Sequence, residues 1–199
     1  MKIVCLDLEG VLIPEFWIAF SEATSIPELR LTTRDIPDYD ELMKMRMKAL
    51  REHRIGIKKI REVVEKMEPM EGARDLIAWL RERAQPVVIT GSYYDYIMPL
   101  IAKIGNPFTI ANELEIGPGG EVVGYRLREA DGKAEMVNRF KEAGYETIAI
   151  GDSFNDLGML KGAEHGILFK ASPKLLEKEK GFPHAQSYEE LKKILEKIL

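Results

Sequence analysis

Polar side chains of a few chemical types follow three short apolar segments of this 199-residue chain. Carboxylates after the first and third segments are the oxygen ligands that Mg²⁺ prefers, and one of them, Asp7, is also a candidate nucleophile. Hydroxyl and backbone N–H groups after the second segment can bind an anion. Side chains that bind a hard cation and an anion together are those that phosphoryl transfer requires. In chain order the candidates are Asp7, Glu9, Thr90, Gly91, Ser92, Lys133, Asp152, Asn155 and Asp156.

The positions of these residues predict one shared site. Each group follows a segment with the length and composition of a buried strand. The carboxyl ends of parallel strands meet at one edge of an α/β sheet, where ligands bind. We therefore expect Asp7, Asp152 and Asp156 to hold Mg²⁺ beside an anion cradle. The cradle would consist of Thr90, the N–H groups of Gly91 and Ser92, and Lys133.

Each motif alone also has a purely structural interpretation. Asp7 and Glu9 could form an acidic turn after an ordinary strand, and Asp152 could cap a helix. The sequence Gly151–Asp156 is more specific, because two acids and an Asn on a strand-to-helix turn have no obvious packing role. The presence of all the motifs in one chain favours the chemical interpretation.

Strand-like segments alternate with helical periodicity along most of the chain. This alternation predicts an α/β fold, a Rossmann-like doubly wound parallel sheet with helices on both faces. A Gly-Pro-Gly-Gly turn between two alternating segments predicts an additional β-hairpin. The predicted buried strands are Ile3–Leu6, Val87–Ile89, Glu146–Ile150 and Gly166–Phe169, and the hairpin strands are Phe108–Ile116 and Glu121–Leu127.

Residues 14–69 break this alternation, because they contain helical patterns and no strand-like segment. We interpret them as a small helical cap domain, inserted after the first strand and lying over the carboxyl edge of the sheet. Residues 1–13 and 70–199 would then form the α/β core. Met43 and Met47 recur at helical spacing, which is typical of core packing.

The composition argues against several classes of partner. With 29 Lys and Arg against 33 Asp and Glu, the net charge of −4 gives no indication of nucleic acid or an anionic membrane surface as a partner. No apolar run approaches the ~18 residues that cross a bilayer. The single cysteine, Cys5, lies in the first predicted strand and suits a reducing compartment, so we expect a cytoplasmic protein. The oligomeric state stays open.

Four motifs in this order resemble the haloacid dehalogenase-like hydrolases. They are DLEGV at Asp7, Thr90 after VVI, Lys133, and GDSFND at Asp152. The helical insert after the first motif matches one cap type of that family. Within the family the chain is similar to the phosphoserine phosphatase branch, and above all to members that are also homoserine phosphotransferases. The segments that carry this similarity are Asp7–Leu12, Pro14–Phe20, Thr32–Asp40, Val122–Tyr125, Gly151–Asp156 and His165–Phe169.

The resemblance implies a catalytic or metal-binding role for the acidic residues. Asp7 would be the nucleophile that becomes an aspartyl phosphate. Glu9 stands where most phosphatases of the family have a second Asp, and it would protonate the leaving group and later activate water. Asp152, with Asp7 and the backbone carbonyl of Glu9, would hold Mg²⁺. Asp156 would complete or orient the metal shell.

The resemblance also implies which residues bind the phosphoryl group. Thr90 would hydrogen-bond one phosphoryl oxygen, with the N–H groups of Gly91 and Ser92 beside it. Lys133 would neutralise the charge of the nucleophile and the phosphate. Asn155 would contact phosphate or another part of the substrate.

Two cap residues would select the rest of the substrate by the same resemblance. Glu15 would meet an ammonium group, and Arg46 would bind a carboxylate through a two-pronged hydrogen bond. Arg46 could instead be a solvated charge, since the same predicted helix also carries Lys44 and Lys48.

The function predicted from these residues is Mg²⁺-dependent hydrolysis of O-phospho-L-serine through an aspartyl phosphate. Two alternatives are also enzymes: phosphotransfer from phosphoserine to homoserine, and a broader phosphatase for sugar phosphates or nucleotides. The third is a phosphate-sensing binding protein, which would not need Asp7 as a nucleophile. Gly91 resembles the hydrolases of this branch, whereas the transferases have Asp at that position, so hydrolysis ranks first.

Overall fold

The computed structural model describes residues 1–33, 35–36, 38–128 and 132–199, and this part of the chain forms seven β-strands and nine α-helices. The strands are β1 (Lys2–Leu6), β2 (Gln85–Tyr93), β3 (Phe108–Ile116), β4 (Val122–Arg126), β5 (Glu146–Gly151), β6 (His165–Phe169) and β7 (His184–Ala185). The helices are α1 (Phe16–Thr24), α2 (Tyr39–Glu52), α3 (Ile57–Lys66), α4 (Ala73–Arg81), α5 (Tyr94–Lys103), α6 (Gly132–Glu142), α7 (Leu157–Gly162), α8 (Pro173–Lys178) and α9 (Tyr188–Leu195).

The seven strands form one sheet in the order β4-β3-β2-β1-β5-β6-β7. Neighbouring strands are parallel, except that β3 and β4 pair antiparallel. The predicted parallel sheet and the predicted hairpin are therefore confirmed. The sequence pattern did not show β7 and α8, because two and six residues are too few for a period to be detected.

Strand β1 lies in the middle of the sheet, and its side chains enter apolar cores on both faces. Val4 and Leu6 belong to the larger cluster, whereas Cys5 belongs to the smaller one, as alternation along a strand requires. Burial raises the pKa of the Cys5 thiol to about 12, which fits a core residue. The Asp7 N–H donates to the Ile150 carbonyl at 3.0 Å, so Asp7 emerges where β1 and β5 end together.

Strand β2 extends beyond the end that the apolar pattern predicts. The sequence indicates an end at Ile89, but the strand continues to Tyr93. Its pairing with β3 shifts register between these two residues. Such an irregularity re-aims side chains near a strand end, and both Thr90 and Ser92 border the cavity described below.

The segment 14–69 contains α1, a 3₁₀ turn at Pro27–Arg30, α2 and α3, and its described residues include no strand of the sheet. Met43 and Met47 are buried in the larger apolar cluster, as their spacing predicted. The division into a cap and a core domain stays a prediction. Two residues of the segment Thr32–Asp40, Arg34 and Pro37, lie outside the described residues.

Among the described residues, none of the helices is both long enough and apolar enough to cross a bilayer.

Candidate active site

One small cavity of about 90 Å³ lies at the carboxyl ends of β1, β2 and β5. Residues from four separated parts of the chain border it. The predicted site residues that line it are Asp7, Glu9, Glu15, Arg46, Thr90, Gly91, Ser92, Lys133, Asp152 and Asn155. Asp156 is fully buried beside them and contacts Lys133.

Lys133 joins the first and last motifs through two short ion pairs. Its Nζ lies 2.7 Å from Asp7 Oδ1 and 2.7 Å from Asp156 Oδ1. The Leu8 N–H also donates to Asp7 Oδ1 at 2.7 Å. Burial alone would lower the pKa of Lys133, but the charges of Asp156 and Asp7 outweigh it and raise that pKa above its usual range. Lys133 is therefore a permanent cation between two buried carboxylates.

Asp156 holds the turn that follows β5. Its Oδ2 accepts hydrogen bonds from the Asp152 N–H and the Ser153 N–H, both at 3.0 Å, and from the Ser153 hydroxyl at 3.1 Å. A Cβ at Gly151 would lie 2.4 Å from the Asp156 Cβ, so only glycine allows this close approach. Asp156 therefore orients the Asp152 backbone while its other oxygen binds Lys133.

The three acids Asp7, Asp152 and Asp156 form a cluster that suits a hard cation. Each offers one carboxylate oxygen, and these atoms lie within 4.8 Å of one another. Burial, together with the charge of Asp156, raises the pKa of Asp7 to about 7, and burial with the charge of Asp7 raises the pKa of Asp152 to about 8. Buried carboxylates with raised pKa values need positive charge to ionise, and an all-oxygen site fits Mg²⁺.

The turn after β1 brings its backbone very close to Asp152. Gly10 has a φ of +78°, and a Cβ there would lie 2.5 Å from the Asp152 carboxylate. Glycine is therefore required both by the left-handed backbone and by the space that the carboxylate fills.

Glu9 is held by hydrogen bonds from both sides of the cavity. Its Oε1 accepts from the Ser92 hydroxyl, and its Oε2 accepts from the Phe16 N–H at 3.1 Å. Burial, and then the charge of Glu15, raise the pKa of Glu9 to about 8. A carboxyl with such a pKa can both donate and accept a proton near neutral pH, which a general acid and base requires.

The backbone after Thr90 is fixed by several hydrogen bonds. The Ser92 N–H donates to Thr90 Oγ1 at 3.0 Å. The Gly91 carbonyl accepts from the Tyr39 hydroxyl at 3.1 Å and from Asn112 Nδ2 at 2.9 Å. Because Thr90 Oγ1 accepts one of these bonds, its own O–H can donate to an anion. Ser92 as a direct phosphate ligand stays a prediction, since both its N–H and its hydroxyl donate elsewhere.

Arg46 reaches the cavity from α2 and is only 5% exposed, so the interpretation as a solvated charge is wrong. Its guanidinium carbon lies 4.4 Å from the centroid of the Trp17 ring, and its Nη2 donates to the Leu31 carbonyl at 2.9 Å. Its buried Nε has no hydrogen-bond partner among the described residues. A buried donor without a partner is costly, which makes a ligand acceptor at this place favourable.

Other residues that line the cavity were not predicted as part of the site. Tyr39 and Tyr96 belong to helical apolar patterns, which do not distinguish a core position from a cavity wall. Ser153 does carry a signal, because it lies inside the GDSFND motif. The unpredicted lining residues are Trp17, Thr32, Thr33, Tyr39, Leu42, Tyr96 and Ser153.

Sequence comparison relates most of the chain to one family of hydrolases. The haloacid dehalogenase-like hydrolases match residues 1–164. The chain is 47% identical over 193 residues to the phosphoserine phosphatase ThrH of Pseudomonas aeruginosa, covering 97% of this chain and 94% of that protein. It is 28% identical over 191 residues to the phosphoserine phosphatase of Methanocaldococcus jannaschii, with 89% of each covered.

Solved structures share the same fold. The crystal structure of phosphoserine phosphatase from T. onnurineus in complex with NDSB-201 is 27% identical, with a TM-score of 0.73, over 96% of this chain and 92% of that one. A phospho-aspartyl intermediate analogue of phosphoserine phosphatase aligns with a TM-score of 0.75 at 22% identity, over 97% of this chain and 98% of that one. At 22% identity the second likeness concerns the fold alone.

Proposed function

The chain belongs to the haloacid dehalogenase-like hydrolases, and from that membership we propose that it hydrolyses O-phospho-L-serine, with Mg²⁺ as cofactor, through a phosphorylated Asp7. One observation carries the proposal. The ion pair between Asp7 and Lys133, 2.7 Å long, lies in the same small cavity as Glu15 and the buried Arg46. The cavity therefore contains both groups that suit phosphoryl transfer and charged groups that suit the binding of an amino acid.

The proposed reaction has two steps that use the same residues. The Asp7 carboxylate attacks phosphorus, the bond between phosphorus and the serine oxygen breaks, and Glu9 gives its proton to that oxygen. After serine leaves, Glu9 accepts a proton from water as the water oxygen attacks the phosphorus of phospho-Asp7. Inorganic phosphate leaves and the Asp7 carboxylate is restored. Lys133 stays paired with Asp7 and offsets negative charge in both steps.

Mg²⁺ is the proposed cofactor because the buried acid cluster contains three carboxylates and Lys133 is the cation that pairs with two of them. Asp7 and Asp152 would bind the ion, with the Glu9 carbonyl, and Asp156 would orient that set. When bound, the ion supplies positive charge that stabilises the phosphoryl oxygens. Excess chelator should abolish turnover, and Ca²⁺ should inhibit because it takes more ligands at longer distances.

The size and charge of the cavity support a small amino-acid phosphate as the substrate. Its volume of about 90 Å³ favours a compact phosphate ester. Arg46 supplies a buried cation for a carboxylate, and Glu15 an anion for an ammonium group. The helical segment 14–69 that carries both residues is the proposed cap domain. The proposed compartment is the cytoplasm, because a chain with a single cysteine suits a reducing environment.

The proposal is tested with a panel of phosphomonoesters in the presence of Mg²⁺. The panel contains O-phospho-L-serine, phosphate esters of serine analogues that lack the carboxylate or the ammonium group, a sugar phosphate and a nucleotide. We expect the highest kcat/KM with phosphoserine and a loss with each truncated analogue. Equal rates across the panel would indicate a broad phosphatase. Tight phosphate binding without turnover of any ester would indicate a sensing protein.

Phosphotransfer to homoserine is the second candidate, and the charged groups of the cavity favour it. An alcohol held beside phospho-Asp7 by Arg46 and Glu15 would compete with water for the phosphoryl group. Homoserine carries the same charged groups as serine and one additional methylene. Gly91 leaves open space at this wall, since a Cβ there would meet nothing within 4 Å.

A single measurement separates the two candidates. Phosphoserine is incubated with the enzyme, Mg²⁺ and millimolar homoserine, and both phosphohomoserine and inorganic phosphate are quantified. Phosphate release without phosphohomoserine would exclude transfer. A predominance of phosphohomoserine would reverse the ranking of the two activities.

A further inference from the structure

We propose that Ser92 is a positioning residue for Glu9: its hydroxyl holds the Glu9 carboxyl where that group can protonate the leaving serine oxygen. The inference rests on the proposed function, in which Glu9 is the general acid. It assigns Ser92 a different task from phosphate binding, and it follows from how each hydrogen-bonding group of Ser92 is used.

The hydroxyl of Ser92 has one proton to donate, and that proton is directed to Glu9 Oε1. The acceptor side of the same oxygen faces the Tyr96 hydroxyl at 3.4 Å. The Ser92 N–H donates to Thr90 Oγ1 at 3.0 Å. Ser92 is only 5% exposed, so water does not compete well for these groups. Both donors of Ser92 therefore serve other residues of the site.

The other oxygen of Glu9 is bound from the opposite side of the cavity. The N–H of Phe16, the first residue of α1, donates to Oε2 at 3.1 Å. Ser92 lies in β2 and Phe16 in the helical segment, so the Glu9 carboxyl spans the two. The Glu15 side chain also hydrogen-bonds this carboxyl. Loss of the Ser92 donor would leave the carboxyl without its bond to β2 and allow it to shift.

The length of the Glu9 side chain matches the position of Ser92. An Asp at position 9 would withdraw the carboxyl by about one carbon–carbon bond, ~1.5 Å. That retreat would take it beyond the ~2.5–3.0 Å reach of an O–H···O bond from Ser92. Glu9 and Ser92 are therefore a matched pair, and the hydroxyl at position 92 compensates for the longer acid at position 9.

The general acid matters only when the leaving group is poor. The serine alkoxide must be protonated as its bond to phosphorus breaks, whereas p-nitrophenolate leaves without a proton. Both substrates share the later water step, in which Glu9 is the base, so they are compared by kcat/KM, which covers only the steps up to loss of the leaving group. A displaced Glu9 should therefore lower kcat/KM much more for phosphoserine than for p-nitrophenyl phosphate. A residue that only stabilises the fold would slow both substrates to the same extent.

Ser92→Ala tests the proposal. We expect kcat/KM for phosphoserine to fall roughly tenfold to a hundredfold, a share of the ~10²–10⁴ that acid–base catalysis contributes, with less than about a threefold loss of kcat/KM for p-nitrophenyl phosphate. Ser92→Thr keeps the hydroxyl and should retain the wild-type ratio of the two rates. Ser21→Ala is the matched control, since Ser21 is also buried but donates to the Ile26 carbonyl outside the cavity.

A double-mutant cycle gives an independent readout. If Ser92 acts through the length of Glu9, Ser92→Ala should cost almost nothing further in a Glu9→Asp background. Additive losses, or equal losses on both substrates, would overturn the inference. Should the wild type fail to hydrolyse phosphoserine, the proposed function is wrong. The crystal structure of Ser92→Ala then decides the inference, which is overturned if the Glu9 carboxyl keeps its position.

Discussion

The two sides of the cavity differ in how their buried cations are bonded. The catalytic floor, made of Asp7, Lys133, Asp152 and Asp156, comes from the sheet and the elements around it, and Lys133 bonds two of its carboxylates at 2.7 Å. The cap wall, made of Glu15, Trp17, Tyr39 and Arg46, comes from the helical segment. There the buried Nε of Arg46 has no hydrogen-bond partner among the described residues.

This difference separates chemistry from recognition. The floor holds Asp7, the proposed nucleophile, against its cation before any substrate arrives, which would lower the reorganisation needed during reaction. The cap wall keeps a buried donor available, so a matching substrate gains a bond that water supplies poorly at this depth. Substitutions that change the charge of the floor should therefore impair turnover of every substrate. The effect of substitutions in the cap wall should depend on which substrate is used.

The largest effect is expected for Asp7→Asn in the floor. The amide has nearly the same volume as the carboxylate but is not a nucleophile, so turnover of every phosphomonoester should fall by more than about a thousandfold. Phosphate release is the measurement, and thermal unfolding provides the control for folding. Near-normal hydrolysis by a folded variant would show that the nucleophile lies elsewhere.

The second effect tests the charge balance of the floor through stability as well as rate. Lys133→Met leaves Asp7 and Asp156 buried without their cation, and breaking such a pair typically costs ~3–5 kcal/mol. The midpoint of urea unfolding should fall strongly in chelator and recover in part with Mg²⁺, because the ion neutralises the same acids. A stability unchanged from wild type in chelator would contradict the proposed role of Lys133. Lys161→Met, at an exposed ion pair with Glu179, is the matched control and should have little effect.

The third effect concerns the cap wall and should depend on the substrate. Arg46→Ala removes a buried charge-assisted bond worth ~1.5–3 kcal/mol, or roughly tenfold to a hundredfold in kcat/KM for phosphoserine. The loss for p-nitrophenyl phosphate should be much smaller, since it has no carboxylate. Lys48→Ala, on the same helix with a side chain 74% exposed, should leave both rates unchanged. Equal losses from Arg46→Ala on the two substrates would show that Arg46 acts on phosphate or on the fold.

The smallest effect is a dependence of stability on pH in the absence of metal. The pKa of Asp7 is raised to about 7 and that of Asp152 to about 8, mainly by burial, whereas unfolded aspartates titrate near pH ~4. Between these values the folded protein binds more protons than the unfolded chain. The free energy of unfolding should therefore be highest at the acidic end of this range and fall as the pH rises to about 8.

Urea unfolding at several pH values, in chelator and in Mg²⁺, measures this dependence. Mg²⁺ favours the ionised carboxylates and should flatten the profile. If the pH profile of the free energy of unfolding were identical with and without Mg²⁺, the carboxylates that titrate in the floor would not be those that bind the metal.

The floor and the cap wall also differ in how far they could be predicted from the sequence. Each floor residue lies within a few positions of a predicted strand end or helix start, so the order of the motifs and the geometry of a parallel sheet were enough to place Asp7, Asp152 and Asp156 together. Arg46 was predicted as a substrate-binding residue only through the resemblance to the family. Its burial depends on packing against Trp17 and Leu31, which no local pattern encodes.

The sequence by itself determined the fold class, the hairpin and the types of side chain at the sheet edge, because strand and helix periods and turn residues act over short distances. Only the tertiary structure decided which groups bond to which. Glu9 and Ser92 lie 83 positions apart, and their hydrogen bond depends on the irregular end of β2 and on the length of the Glu9 side chain. The same holds for Tyr39 and the Gly91 carbonyl, 52 positions apart, because such contacts arise from packing between elements and leave no periodic trace in the chain.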